Sequence, residues 1–109
     1  MIAVLVLFDL THSSVDLDTL RSSIAESVTG YRELEGLRQK VYLSAAPDTF
    51  GGFYLFESEA ALVTALPRLG IGTQQRTGVA PRILRFDVEA IIEGRHTTPD
   101  LTRVGRALR

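Results

Sequence analysis

The chain has 109 residues and a formal net charge of −1. That leaves room for one domain and one core, and it gives no basic excess of the kind a general nucleic-acid binder gathers on one face. Its hydrophobic share of 45% against 23% charged argues for a folded chain, and the absence of cysteine removes disulfides, thiolate nucleophiles and zinc–thiolate sites.

Ile2-Ala3-Val4-Leu5-Val6-Leu7-Phe8 is aliphatic on both parities, which predicts a strand covered on both faces. The apolar run at residues 1–8 is far shorter than the roughly 20 residues of a membrane span and lacks a basic leader, so a cytoplasmic protein that enters no membrane is expected. After the polar turn at residues 11–14, Leu17, Leu20, Ile24 and Val28 recur as one helical stripe. Ser14 or Asp16 is positioned to cap its start, and Gly30 or Gly36 to end it.

Residues 37–43 predict a second strand, with Leu37, Val41 and Leu43 on one parity and Arg38, Lys40 and Tyr42 on the other. A short turn through Pro47 and Asp48 leads to a third strand at Gly51-Gly52-Phe53-Tyr54-Leu55-Phe56, so the two form a hairpin. Ser58 caps a second helix over residues 59–66, which Pro67 ends. Residues 69–80 read as a loop. Residues 81–92 predict a fourth strand, in which Leu84, Phe86, Val88 and Ala90 alternate with Arg85, Asp87 and Glu89. The domain is read as residues 1–94. A C-terminal tail, residues 95–109, is mildly basic through Arg95, Arg103, Arg106 and Arg109, with a short helix after Pro99.

The order β-α-β-β-α-β is the ferredoxin-like, split βαβ pattern of an α+β fold: a four-stranded antiparallel sheet with two helices on one face. Right-handed crossovers put the first and third strands in the centre, in agreement with their lack of charge. Two helices cover only one face, yet either Phe53 and Leu55 or Tyr54 and Phe56 must lie on the other. An open apolar face of that size is rare on a soluble monomer. Pairing of two sheets in a homodimer would cover it; a tail folded across it is the competing explanation.

The stretch Gly36-Leu37-Arg38-Gln39-Lys40-Val41-Tyr42-Leu43-Ser44, followed after the turn by Gly51-Gly52-Phe53-Tyr54-Leu55-Phe56-Glu57, resembles the YdhR-type monooxygenase family of the dimeric α/β-barrel superfamily. The likeness extends through element order over residues 3–94. It implies a homodimeric barrel with a pocket between sheet and helices in each subunit. Relatives in the superfamily oxidise electron-rich aromatics without metal or flavin, degrade haem, or act as isomerases and stress-response proteins. The haem-degrading relatives use Asn, Trp and a ligating His, and the anthrone-oxidising ones Asn and Trp beside Tyr. This chain contains neither Asn nor Trp, so only the lysine and tyrosine positions carry over, onto Lys40 and Tyr54.

The residues themselves leave alternatives open. Lys40 is the chain's only lysine and reads either as an exposed edge residue or as a pocket cation. Tyr54, on a central strand, is either a core tyrosine bonded to a carbonyl or a pocket group. His12 follows the first strand at the start of the first helix, as a turn residue or a functional base. His96 belongs to the tail, and the two histidines have no metal-ligand spacing. Gly70-Ile71-Gly72 lacks the third glycine of a dinucleotide loop, with Gln75 in its place, and no Gly-x-Ser-x-Gly elbow is present.

Two functions fit. The first is a cofactor-independent monooxygenase acting on a small phenol- or quinol-like aromatic. In it His12, Lys40 and Tyr54 are the catalytic candidates, Arg38 a further anion contact, and Phe8, Phe56, Leu62 and Phe86 the apolar walls. No metal, flavin or haem is expected in it. The alternative is a non-catalytic homodimer that binds a small apolar molecule in the same pocket.

Overall fold

The computed structural model describes residues 1–95 together with Gly105. His96, the helix expected after Pro99 and nearly all of the tail lie outside the described residues. The strands are β1 (Ile2–Asp9), β2 (Leu37–Ala45), β3 (Thr49–Phe56) and β4 (Arg82–Asp87), and the helices α1 (Leu17–Arg32), α2 (Glu59–Ala65) and α3 (Ile71–Thr77). The sheet order is β2-β3-β1-β4, with every neighbouring pair antiparallel. This is the ferredoxin-like arrangement, with the two strands whose cores carry no charge in the centre.

Local signals set the helix ends. Asp16 caps α1 by accepting from the Thr19 amide, and α1 runs through Gly30 to Arg32, beyond the first expected stop. The chain turns at Gly36, whose φ of 80° is left-handed and open to glycine without steric cost. Ser58 caps α2 by accepting from the Ala61 amide, and Pro67 lies in a 3-10 turn at Leu66–Arg68. Residues 69–80, expected as loop, contain α3. Gly70 and Gly78, with φ of 70° and 71°, bracket it, so backbone geometry at its two ends marks it where a hydrophobic stripe does not. β4 stops at Asp87, short of the expected residue 92.

One face of the sheet carries the core. Ile2, Val4, Val6 and Phe8 of β1 lie beside Phe50, Tyr54 and Phe56 of β3, under Leu17, Leu20 and Ile24 of α1 and Leu62 of α2. The other face presents Leu5 and Leu7, Phe53 and Leu55, Val41 and Leu43, and Phe86. Val41 and Leu43 are each 37% exposed and Phe86 is 52% exposed. Helices cover one side of the sheet, and among the described residues no helix covers the apolar opposite side, where Leu5, Leu7, Phe53 and Leu55 are half-buried. No helix among the described residues is long and apolar enough to cross a membrane.

β2 departs from simple alternation. Its register on β3 shifts between Leu37, opposite Phe56, and Gln39, opposite Leu55. Two residues there face one, the geometry of a β-bulge. Leu37 therefore packs against the core while Val41 and Leu43, expected on its side, lie on the open face. Lys40 and Tyr42, opposite Tyr54 and Gly52, turn under the helices.

Candidate functional site

Between the covered face, α1 and α3 lies a cavity of about 320 Å³, at the lower end of the range for small-molecule sites. Val6, Phe8, Ile24 and Phe50 give it apolar walls, and Tyr31, Lys40, Tyr42 and Tyr54 its polar inner end. Glu26 of α1 and Arg76 of α3, both exposed, stand at the mouth 3.8 Å apart.

All three tyrosines of the chain converge on its only lysine. The Lys40 Nζ lies 4.0 Å from the ring centroid of Tyr31, 4.5 Å from that of Tyr42 and 3.8 Å from that of Tyr54, inside the reach of cation–π attraction. It also donates to the Tyr54 hydroxyl. The Tyr54 and Tyr31 hydroxyls are 3.3 Å apart, and that of Tyr42 lies 2.5 Å from the Ser27 hydroxyl. No carboxylate among the described residues pairs with Lys40.

The backbone makes this cluster possible. Gly52 sits beside Lys40, and a Cβ there would fall 2.7 Å from Lys40 Cε and 2.9 Å from Nζ. A Cβ on Gly51 would fall 2.0 Å from the Val6 carbonyl oxygen, so the glycine pair lets the strands close while leaving space for the lysine. At Gly70, where φ is positive, the backbone approaches the Phe8 ring so closely that a Cβ would lie 2.9 Å from it. This seats α3 over the cavity.

Burial sets the proton affinities. It pulls Lys40 down to about 7, because a charged amine loses hydration with no carboxylate to replace it. Burial pushes the Tyr54 hydroxyl well above the ordinary phenol range, and the neighbouring Tyr31 adds to this. Burial raises Tyr42 too, against the opposing bond with Ser27. The cluster therefore holds an amine that changes protonation near neutrality beside the Tyr42 and Tyr54 phenols, which burial keeps protonated.

Of the residues proposed from sequence, the fold brings together Lys40, Tyr54 and Phe8. Tyr54 is 2% exposed, and its hydroxyl meets side chains, not the carbonyl a core tyrosine would use. Phe56 and Leu62 are buried in the core under α2 and do not line the cavity. Phe86 is on the open face, because alternation along β4 gives two faces without saying which one the helices take. Arg38, beside the bulge, is exposed and pairs with Glu57 at 3.4 Å, and His12 is exposed in the turn after β1. Tyr31, Tyr42, Ser27, Glu26 and Arg76 were not singled out. A signal for two of them existed: Ser27 and Tyr31 continue the Leu20 and Ile24 face of α1 at helical spacing. Among the described residues no group of three or more acidic or histidine side chains could hold a metal ion.

The sheet order and the cavity under the helices define a ferredoxin-like α+β protein with a small-molecule-sized chamber between sheet and helices. Solved structures share this fold. The chain is similar to NE2512, a protein of unknown function from Nitrosomonas europaea, with a TM-score of 0.64 and 17% identity over 87% of this chain and 95% of that one. It is similar to a protein assigned as an antibiotic biosynthesis monooxygenase from Deinococcus radiodurans, with a TM-score of 0.63 and 15% identity over 88% and 100%. It is also similar to a variant of SnoaB, a cofactor-independent oxygenase from Streptomyces nogalater, with a TM-score of 0.58 and 12% identity over 91% and 97%. No protein-family model matches the sequence, and no curated protein matches it significantly. Identities this low carry the fold, and the chemistry has to be argued from the residues.

Proposed function

We propose that the protein is a cofactor-independent monooxygenase for a small electron-rich phenol or quinol bound in this cavity, and that it works as a homodimer. The observation that carries the reading is Lys40, a mostly buried amine with no carboxylate partner among the described residues, at the inner end of an apolar chamber. A phenol entering there gives its proton to the amine, and the resulting ammonium stabilises the phenolate in a site poor in water. Tyr54 donates a hydrogen bond to the substrate oxygen.

The phenolate passes one electron to O₂, leaving a substrate radical and superoxide. These combine at a ring carbon, forming a C–O bond. Loss of the ring proton and cleavage of the O–O bond then give a quinone and water. One oxygen atom enters the substrate, which itself supplies the electrons that reduce the other. Two structural neighbours, one assigned as an antibiotic biosynthesis monooxygenase and one a cofactor-independent oxygenase, favour this class. The finer YdhR-type assignment rests on the Lys40 position and the run from Gly51 to Phe56, whose two glycines the cavity requires. The homodimer rests on the open apolar face of β1, β3 and the edge strands, and the reading places the protein in the cytoplasm.

The test is oxygen uptake with a panel of naphthols and quinols, followed by quinone absorbance. Wild type should turn over at least one of them. Lys40→Met should lose about a hundredfold or more, a hundredfold being the lower end of the range for a general base, and Tyr54→Phe should lose less. No uptake above buffer autoxidation, together with a ligand retained in native mass spectrometry, would replace the enzyme by the binding protein.

A further inference from the structure

The inner end of the cavity has the parts for a second chemistry. An amine reacts with a carbonyl compound when it is uncharged, reachable and beside a group that relays a proton. Lys40 lines the cavity, has no carboxylate among the described residues to hold it as an ammonium, and touches the Tyr54 hydroxyl. Tyr54 in turn lies 3.3 Å from the Tyr31 hydroxyl. The walls beside it, Val6, Phe8, Ile24 and Phe50, suit a flat apolar ligand. The structure assigns Lys40 as a site of reversible imine formation with small aromatic aldehydes that enter the cavity. This uses the same chamber as the oxygenase reading but needs neither oxygen nor a phenol.

The steps balance without an oxidant or reductant. The amine lone pair forms a C–N bond to the carbonyl carbon, and the Tyr54 hydroxyl relays a proton from nitrogen to the alkoxide oxygen. The C–O bond of the carbinolamine then breaks, water leaves, and loss of the remaining N–H proton gives the imine. Aldehyde and amine are thus converted to imine and water. The lowered proton affinity of Lys40 supplies the uncharged amine. At about 7 half of it is free at neutral pH, against about 0.04% for an ordinary lysine near 10.4. The titratable groups facing it are Tyr31 from α1, Tyr42 from β2 and Tyr54 from β3, with Glu26 and Arg76 paired at the mouth.

The chain provides its own control. With one lysine, its only other primary amine is the terminus at Met1, which is exposed. Wild-type protein is incubated under nitrogen with benzaldehyde, which has no phenolic group, and trapped with cyanoborohydride at pH 7, folded or in urea. Adducts are located by mass spectrometry, since an alkylated Lys40 resists tryptic cleavage. The Lys40-to-Met1 labelling ratio should be about a hundredfold higher in the folded protein than in urea, some of the amine's advantage being lost with its basicity. Its pH profile should have a midpoint near 7. An equal or lower ratio in the folded protein would overturn the proposal. Failure of oxygen uptake with every phenol leaves this result untouched, so the two readings fall separately.

Discussion

Replacing Lys40 by methionine should change how stability depends on pH. In the folded protein burial lowers the amine to about 7, and in the unfolded chain it returns to about 10.5. Between those values the unfolded chain holds a proton that the folded one does not, so raising the pH favours folding. The penalty is fully present below pH 7 and fades as the pH approaches the unfolded value. Integrated from pH 7 to pH 9, the linkage amounts to about 2 kcal/mol in favour of the folded wild type. The three ring faces attract the ammonium and offset part of this, leaving about 1–2 kcal/mol. No other lysine contributes, and pH 7–9 lies below the ordinary tyrosine range, which burial raises further for Tyr42 and Tyr54. Urea unfolding followed by circular dichroism at pH 7, 8 and 9 gives the difference between wild type and Lys40→Met. Every other titrating group cancels in that difference. Parallel profiles for the two proteins would show that the amine is not desolvated, and the reasoning about the site would fail with it.

Gly52→Ala should place a methyl group against Lys40 Cε and Nζ. The obstructed atoms end a flexible side chain, so the fold should survive while the amine swings out, and the stability gain between pH 7 and 9 should shrink toward that of Lys40→Met in the same urea assay. Leu5→Asp and Phe53→Asp put a charge in the open apolar face and should convert a dimer to a monomer in sedimentation velocity, whereas Val6→Asp and Tyr54→Asp strike the core side and should unfold the chain. A monomeric wild type at micromolar concentration would remove the homodimer. Phe56→Ala, at a side chain with 0% exposure, should cost about 3–5 kcal/mol in denaturant unfolding and leave the cavity residues in place.

Strand order was legible because the cores of the central strands carry no charge while Lys40 and Arg85 mark the edges. The helix starts were legible because Asp16 and Ser58 are capping residues at the right distance from apolar stripes. The faces of β2 were not. Counting by twos from Leu37 puts Val41 and Leu43 beside it, and only the pairing with β3 reveals the extra residue. The same limit hid the environment of Lys40, since a lysine on an edge strand usually stays in water. Tyr31 joins Lys40 only after the chain has turned from α1 into β2, a contact no local spacing encodes. α3 escaped because Ile71–Thr77 has no apolar stripe, and its two bracketing glycines read equally well as loop.

In a β-strand, a slip of one residue normally travels the whole length and exchanges the two faces. The bulge at Arg38 stops that propagation. Downstream, the β2–β3 hairpin alone dictates that Lys40 and Tyr42 stand opposite Tyr54 and Gly52. Upstream, Leu37 keeps its place against the core, and Gly36 its close approach to Ala61, on an independent count. The strand thus has two clocks, one set by the helix that precedes it and one by the turn that follows. A change in chain length near Arg38 would be absorbed before it reached the lysine. The same change in the turn between Ala45 and Thr49 would rotate the lysine out of its cage.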